Sequence, residues 1–90
     1  MSDSKERRRH ARRLARHDVR LRFEGLPDEI PGHFIDESET GFRARHRNLA
    51  ITGNQEVVFR TSTRSGKARV IWNRILGEEV ETGFVITESD

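Results

Sequence analysis

Apolar residues in this chain recur at every second position in short runs, and that period of two constrains the fold more than any other feature. Val19, Leu21 and Phe23 alternate with Arg20 and Arg22, the signature of a strand with one face buried and the other in water. Further short strands are expected at His33–Ile35, Phe42–Arg45, Glu56–Arg60, Lys67–Asn73 and Thr82–Thr87. In the fifth, Ala68, Val70 and Trp72 fall on one face and Arg69, Ile71 and Asn73 on the other. Trp72 is therefore expected in the core, with a place beside a ligand as the lesser reading. Gly25, Pro27, Pro31 and Gly32 predict one turn, the polar stretch 61–66 a hairpin loop, and Gly77-Glu78-Glu79 another turn. Strands spaced by roughly 8–12 residues, with little helical patterning, predict an all-β fold: a small six-stranded antiparallel barrel. Closure removes the exposed edges that so short a sheet tolerates badly.

Ninety residues with 32% apolar and 36% charged content make one domain with a thin core and little room for a catalytic cleft. The chain has no cysteine, which excludes disulfides, thiolate metal sites and a cysteine nucleophile. No apolar run reaches the length of a membrane span or a signal-peptide core, so a soluble, cytoplasmic protein is expected. The net charge of +2 conceals an asymmetry. Residues 1–22 hold nine Lys or Arg against three Asp or Glu, whereas residues 23–90 hold eight against twelve. Residues 1–17 are expected to form a mobile, arginine-rich arm on a mildly acidic barrel spanning 18–90. Such an arm suits phosphate, an anionic surface or an acidic protein.

The stretch DESETG, Asp36–Gly41, lies between the apolar residues Phe34-Ile35 and Phe42. It begins as an EF-hand loop does, but the twelfth position, which needs a bidentate carboxylate, is Arg47. Calcium is excluded. His10, His17, His33 and His46 show no pairing with a second metal ligand, and solvated surface histidines are the expectation. No nucleophile elbow, phosphate loop or HExxH is present, and the adjacent carboxylates point to different sides of a turn, so enzyme activity is not expected. The arm uses arginine almost to the exclusion of lysine, with only Lys5 as the exception. Arginine adds to charge a planar fork for phosphate or for the O6/N7 edge of guanine, and a face that stacks on bases. Carboxylate and hydroxyl groups complement the donors on guanine's other edge. Arm and loop together suit a guanine nucleotide.

These two segments resemble the PilZ domain, the bacterial receptor for cyclic di-GMP. The family's marks are RxxxR in an N-terminal switch and [D/N]xSxxG on the barrel. Arg8 to Arg12 supply the first, within ERRRHAR, and Asp36 to Gly41 the second; ARVIWN followed by a turn and ETGFVI resembles the last two barrel strands. The likeness covers about residues 6–87. It implies that Arg8 and Arg12 contact phosphates and guanine edges, and that Asp36 and Ser38 hydrogen-bond a guanine and its neighbouring phosphate. Gly41 then supplies a conformation or a close approach that a side chain forbids. Arg7, just before the motif, implies an intercalated pair of ligands. Arg9 and Arg13 repeat the spacing one residue on, and Arg13, Arg16, Arg20 and Arg22 exceed what the motif requires. Glu37, Glu39 and Thr40 are read as turn only. The family's C-terminal helix is expected to be short or absent. The resemblance implies an effector that signals to a partner protein when the arm closes over the ligand, with no cofactor. Two other readings stand beside it: a small barrel binding RNA or DNA through the arm, and an adaptor binding only proteins.

Overall fold

The computed structural model of the chain describes residues 13–14 and 18–89. It is all-β, with seven strands: β1 (Arg13–Leu14), β2 (Asp18–Phe23), β3 (Ile30–Glu37), β4 (Gly41–His46), β5 (Glu56–Arg60), β6 (Ser65–Leu76) and β7 (Glu79–Ser89). Every pairing is antiparallel, and the order β3-β2-β5-β6-β7-β4 closes on itself because β4 pairs with β3 as well as with β7. The result is the expected six-stranded barrel. β1 pairs with β3 at Arg13↔Glu37 and Leu14↔Asp36, beyond the end of the β2–β3 ladder at Asp18↔His33. The two thus run along the same edge of β3. The stretch expected as a mobile arm lies mostly outside the described residues, and within it these two residues form β1.

The six expected strands are all present, several of them longer at one or both ends. Pro31 and Gly32, expected in a turn, lie inside β3. Pro31 follows the strand's first residue, where the loss of one N–H donor is tolerated. The turn before it is made around Gly25, one of the residues expected there, whose φ of 89° is a conformation that favours glycine.

All five phenylalanines are buried, with Val19, Leu21, Ala44, Val57, Ala68 and Val70 around them. Phe42 is the hub. Its ring lies 4.7 Å from Phe34, 5.2 Å from Phe59 and 4.7 Å from Phe84, centroid to centroid. Aromatic payload of this kind compensates for the low apolar content, since each ring buries far more area than an aliphatic side chain.

His46 is a correction to the expectation of solvated histidines: it is buried under the ring of Phe23. Its partners assign the tautomer. The Asn48 backbone N–H donates to Nδ1 at 3.1 Å, so Nε2 carries the proton and donates to Thr82 Oγ1 at 2.8 Å. The Thr82 hydroxyl donates onward to Asn73 Oδ1 at 2.9 Å. Both ring nitrogens are satisfied only in the neutral state, and burial lowers the pKa from 6.5 to about 4.

Between those two values the unfolded chain binds a proton that the folded one refuses. Stability from His46 is therefore whole above pH 6.5 and declines as pH falls towards 4, by a total on the order of 3 kcal/mol. Urea unfolding of wild type and His46→Gln at pH 7 and pH 4.5 measures this. The wild type is expected to lose more stability on acidification than the variant. Equal losses in the two proteins would show that His46 is not a source of the pH dependence.

Candidate ligand-binding face

DESETG is divided between two strands and a turn. Asp36 and Glu37 end β3, Gly41 begins β4, and residues 38–40 turn the chain. The turn closes with the Ser38 N–H donating to the Gly41 carbonyl at 2.8 Å. The Thr40 carbonyl accepts from the Ile86 N–H, also at 2.8 Å, and so ties the turn to β7. Gly41 does need to be glycine, but the close approach is made by the protein itself: a Cβ there would strike the Phe84 carbonyl oxygen.

Asp36 is not part of a solvated acidic turn. The β3–β4 register shifts between Phe34 and Asp36, leaving Ile35 as an extra residue. Phe34 pairs with Ala44 and points into the barrel; after the bulge Asp36 pairs with Arg43 on the outer surface. There its carboxylate is covered. Arg43 Nε donates to both Asp36 oxygens at 3.1 Å, and Nη2 donates to Oδ2 at 2.6 Å. Arg43 Nη1 also donates to Glu81 Oε2 at 3.0 Å. On the other side of Glu81, Arg74 Nη2 donates to Oε1 at 3.1 Å, and Arg45 lies 4.0 Å away. The Asp36 and Glu81 side chains are 2% and 3% exposed, against 34% for Arg43. The hydrogen bonds it donates to Asp36, and then the charges of Asp36 and Glu81, hold the Arg43 guanidinium above its ordinary pKa despite partial burial. Glu37, read as turn only, lies at the end of β3 with its carboxylate 3.7 Å from Arg64.

A second bulge does for β6 what the first does for β3. The β6–β7 register shifts between Val70 and Trp72, with Ile71 as the extra residue. Val70 points inward opposite Phe84, while Trp72 is paired with Gly83 on the outside. Trp72 is thus not a core residue, as its spacing from Val70 predicts, but is 40% exposed. Its indole lies over Gly83, where a Cβ would strike Nε1, Cε2 and Cζ2. Gly83 is paired in turn with Arg43. One cross-strand row therefore runs Asp36, Arg43, Gly83, Trp72 over the outer surface of β3, β4, β7 and β6.

An open hollow of about 180 Å³ lies along this row, lined by Ser38, Thr40, Gly41, Arg43, Trp72 and Gly83 among others. Of the residues singled out in the sequence, Ser38, Gly41 and Trp72 meet here, with Asp36 directly behind Arg43. Arg13 enters through its backbone, since β1 pairs with Asp36 and Glu37. Arg7, Arg8, Arg9 and Arg12 lie outside the described residues. Sequence reasoning missed Arg43 and Glu81. The only signal for Arg43 is its place between inward Phe42 and Ala44, and its partner depends on a bulge that no residue type announces. Among the described residues no group of three or more His, Asp or Glu side chains is placed to hold a metal ion, and no helix is long and apolar enough to cross a membrane. Comparison with models of known families gave no match to the chain, and comparison with curated proteins gave none either.

Trp72 is the chain's single tryptophan, so its fluorescence reports on this surface. Gly83→Ala is expected to lift the indole off β7 and shift emission to longer wavelength, while the circular dichroism of the barrel is retained. An unshifted spectrum would contradict the packing of Trp72 on Gly83.

Proposed function

We propose that the chain is a receptor for cyclic di-GMP, with the outer surface around the DESETG turn as its binding face. One observation carries the reading. β1 pairs Arg13 and Leu14 with Glu37 and Asp36, so the RxxxR segment of the sequence ends one residue before a strand docked on the DxSxxG hairpin. The continuity of the chain supports bringing these two motifs, some 24 residues apart in sequence, to one site.

The chemistry of that neighbourhood supports the same ligand. Trp72 offers an exposed aromatic face, and stacking of a base on such a face contributes about 1–3 kcal/mol. The hollow beside it is smaller than the roughly 300–1,000 Å³ of sites that enclose a whole drug-sized ligand. It suits one base, with the rest of the ligand reaching the arginine-rich segment. Arg8 and Arg12 there take the phosphates, with charge-assisted bonds of roughly 1.5–3 kcal/mol each. Arg7 adds the positive charge that a stacked pair of dinucleotides requires. Binding alters the surface shared by segment and barrel, and a partner protein reads that change.

Titration with cyclic di-GMP, followed by calorimetry and by Trp72 fluorescence, tests this. Wild type is expected to bind with quenching of the indole and a stoichiometry of two ligands per chain. Arg8→Ala and Arg12→Ala are expected to abolish binding and leave the thermal midpoint of the barrel within a few degrees of wild type. Undiminished affinity in Arg12→Ala would remove the segment from the site, and a wild type blind to cyclic di-GMP would sink the whole reading.

A further inference from the structure

We infer that Arg43, not Asp36, is the barrel residue that recognises the guanine, and that it does so by donating to the O6/N7 edge of a base stacked on Trp72. This rests on the reading of the chain as a cyclic di-GMP receptor, and sharpens which residue gives that receptor its choice of base.

Three observations lead to it. Asp36 is already engaged: its carboxylate is 2% exposed and both oxygens accept from Arg43. Covered as it is, it can meet guanine's N1–H and N2–H₂ only if Arg43 moves aside, and breaking a buried, charge-assisted pair is unfavourable. Arg43 has capacity left. Its hydrogen bonds to Asp36 and Glu81 use Nε–H, one N–H of Nη1 and one of Nη2, which leaves two N–H groups. The group is also 34% exposed and lines the hollow. Arg43 is fixed in place. Held by Asp36 on one side and Glu81 on the other, its guanidinium has little rotational freedom to lose when a ligand arrives, which is the condition for selective recognition.

Position then selects the acceptor. Arg43, Gly83 and Trp72 are consecutive partners on three adjacent strands, and the indole leans over Gly83. A base stacked on that indole has its rim over β4, where Arg43 stands. Guanine presents two acceptors there, O6 and N7. Adenine presents one acceptor and an amino donor, which meets the donor-only guanidinium with an N–H against an N–H. The class of ligand selected is a purine nucleotide with a 6-oxo group.

The test compares cyclic di-GMP with cyclic di-AMP, which has the same phosphates and sugars. Both are titrated into wild type, Arg43→Lys and Asp36→Asn, with the thermal midpoint recorded in each case. Arg43→Lys keeps the charge between Asp36 and Glu81 but lacks the planar fork. It is expected to lose cyclic di-GMP affinity by roughly 10- to 100-fold and with it most of the preference over cyclic di-AMP. Asp36→Asn, which releases Arg43 without emptying its place, is expected to reduce the preference in the same direction by a smaller factor. A purely structural role for Arg43 moves the thermal midpoint and leaves the preference alone. Unchanged preference in Arg43→Lys, or equal losses for the two dinucleotides, overturns the inference while wild-type binding keeps the receptor reading intact. If wild type fails to bind cyclic di-GMP, the receptor reading falls, and this inference with it.

Discussion

Strand β4 is bonded along both edges, to β3 and to β7, and the rest of the molecule depends on that double pairing. It turns an open sheet into a barrel, so that a chain with less than a third of its residues apolar leaves few strand edges exposed. The inward residues of β4, Phe42, Ala44 and His46, fill the centre and are all buried. Phe42 alone meets three other aromatic rings. Of the outward residues of the same strand, Arg43 is thereby held between Asp36 of β3 and Glu81 of β7, and Arg45 lies 4.0 Å from Glu81. Core and candidate site are two faces of one six-residue strand. A change that loosens the β4–β7 ladder, such as a side chain at Gly41, disturbs both.

The barrel was legible in the sequence because period-two alternation is a local property. Val19, Leu21 and Phe23 point inward as their spacing requires, and so do Val57 and Phe59. The site was legible only as far as the alternation holds. Counting by twos from Val70 places Trp72 inside, and counting from Phe34 places Asp36 inside as well. A bulge at Ile71 and another at Ile35 each add one residue and send the next side chain out. Nothing in an isoleucine marks it as the extra residue of a bulge; the register of the whole barrel decides it. The buried His46 was hidden for a related reason. Its burial depends on Thr82 and Asn48, partners brought to it by folding.

The acidic residues show how electrostatics and topology combine. Asp36 and Glu81 stand on the outer surface and yet are almost fully covered, because arginines lie over them. Removing two carboxylates from water costs several kcal/mol per ion, and the gain from pairing often does no more than offset that. Such a network is a poor device for stability alone. It is a good device for orientation: Arg43 donates three hydrogen bonds to Asp36 and one to Glu81, which fixes the plane of a guanidinium that stays 34% exposed.

The letters of DxSxxG therefore differ in kind, although a sequence reading treats them alike. Gly41 is required by the carbonyl of Phe84, which fixes the hairpin against β7. Ser38 closes the turn through its backbone N–H, with its hydroxyl 3.4 Å from the same Gly41 carbonyl, and lines the hollow. Asp36 orients an arginine that lies outside the motif. Each residue shapes the face on which the proposed ligand rests, and the one best placed to choose between bases is reached through Asp36. A motif read along the chain finds the place of a site. Assigning its chemistry requires the cross-strand row, because Asp36, Arg43, Gly83 and Trp72 become neighbours only when four strands are laid side by side.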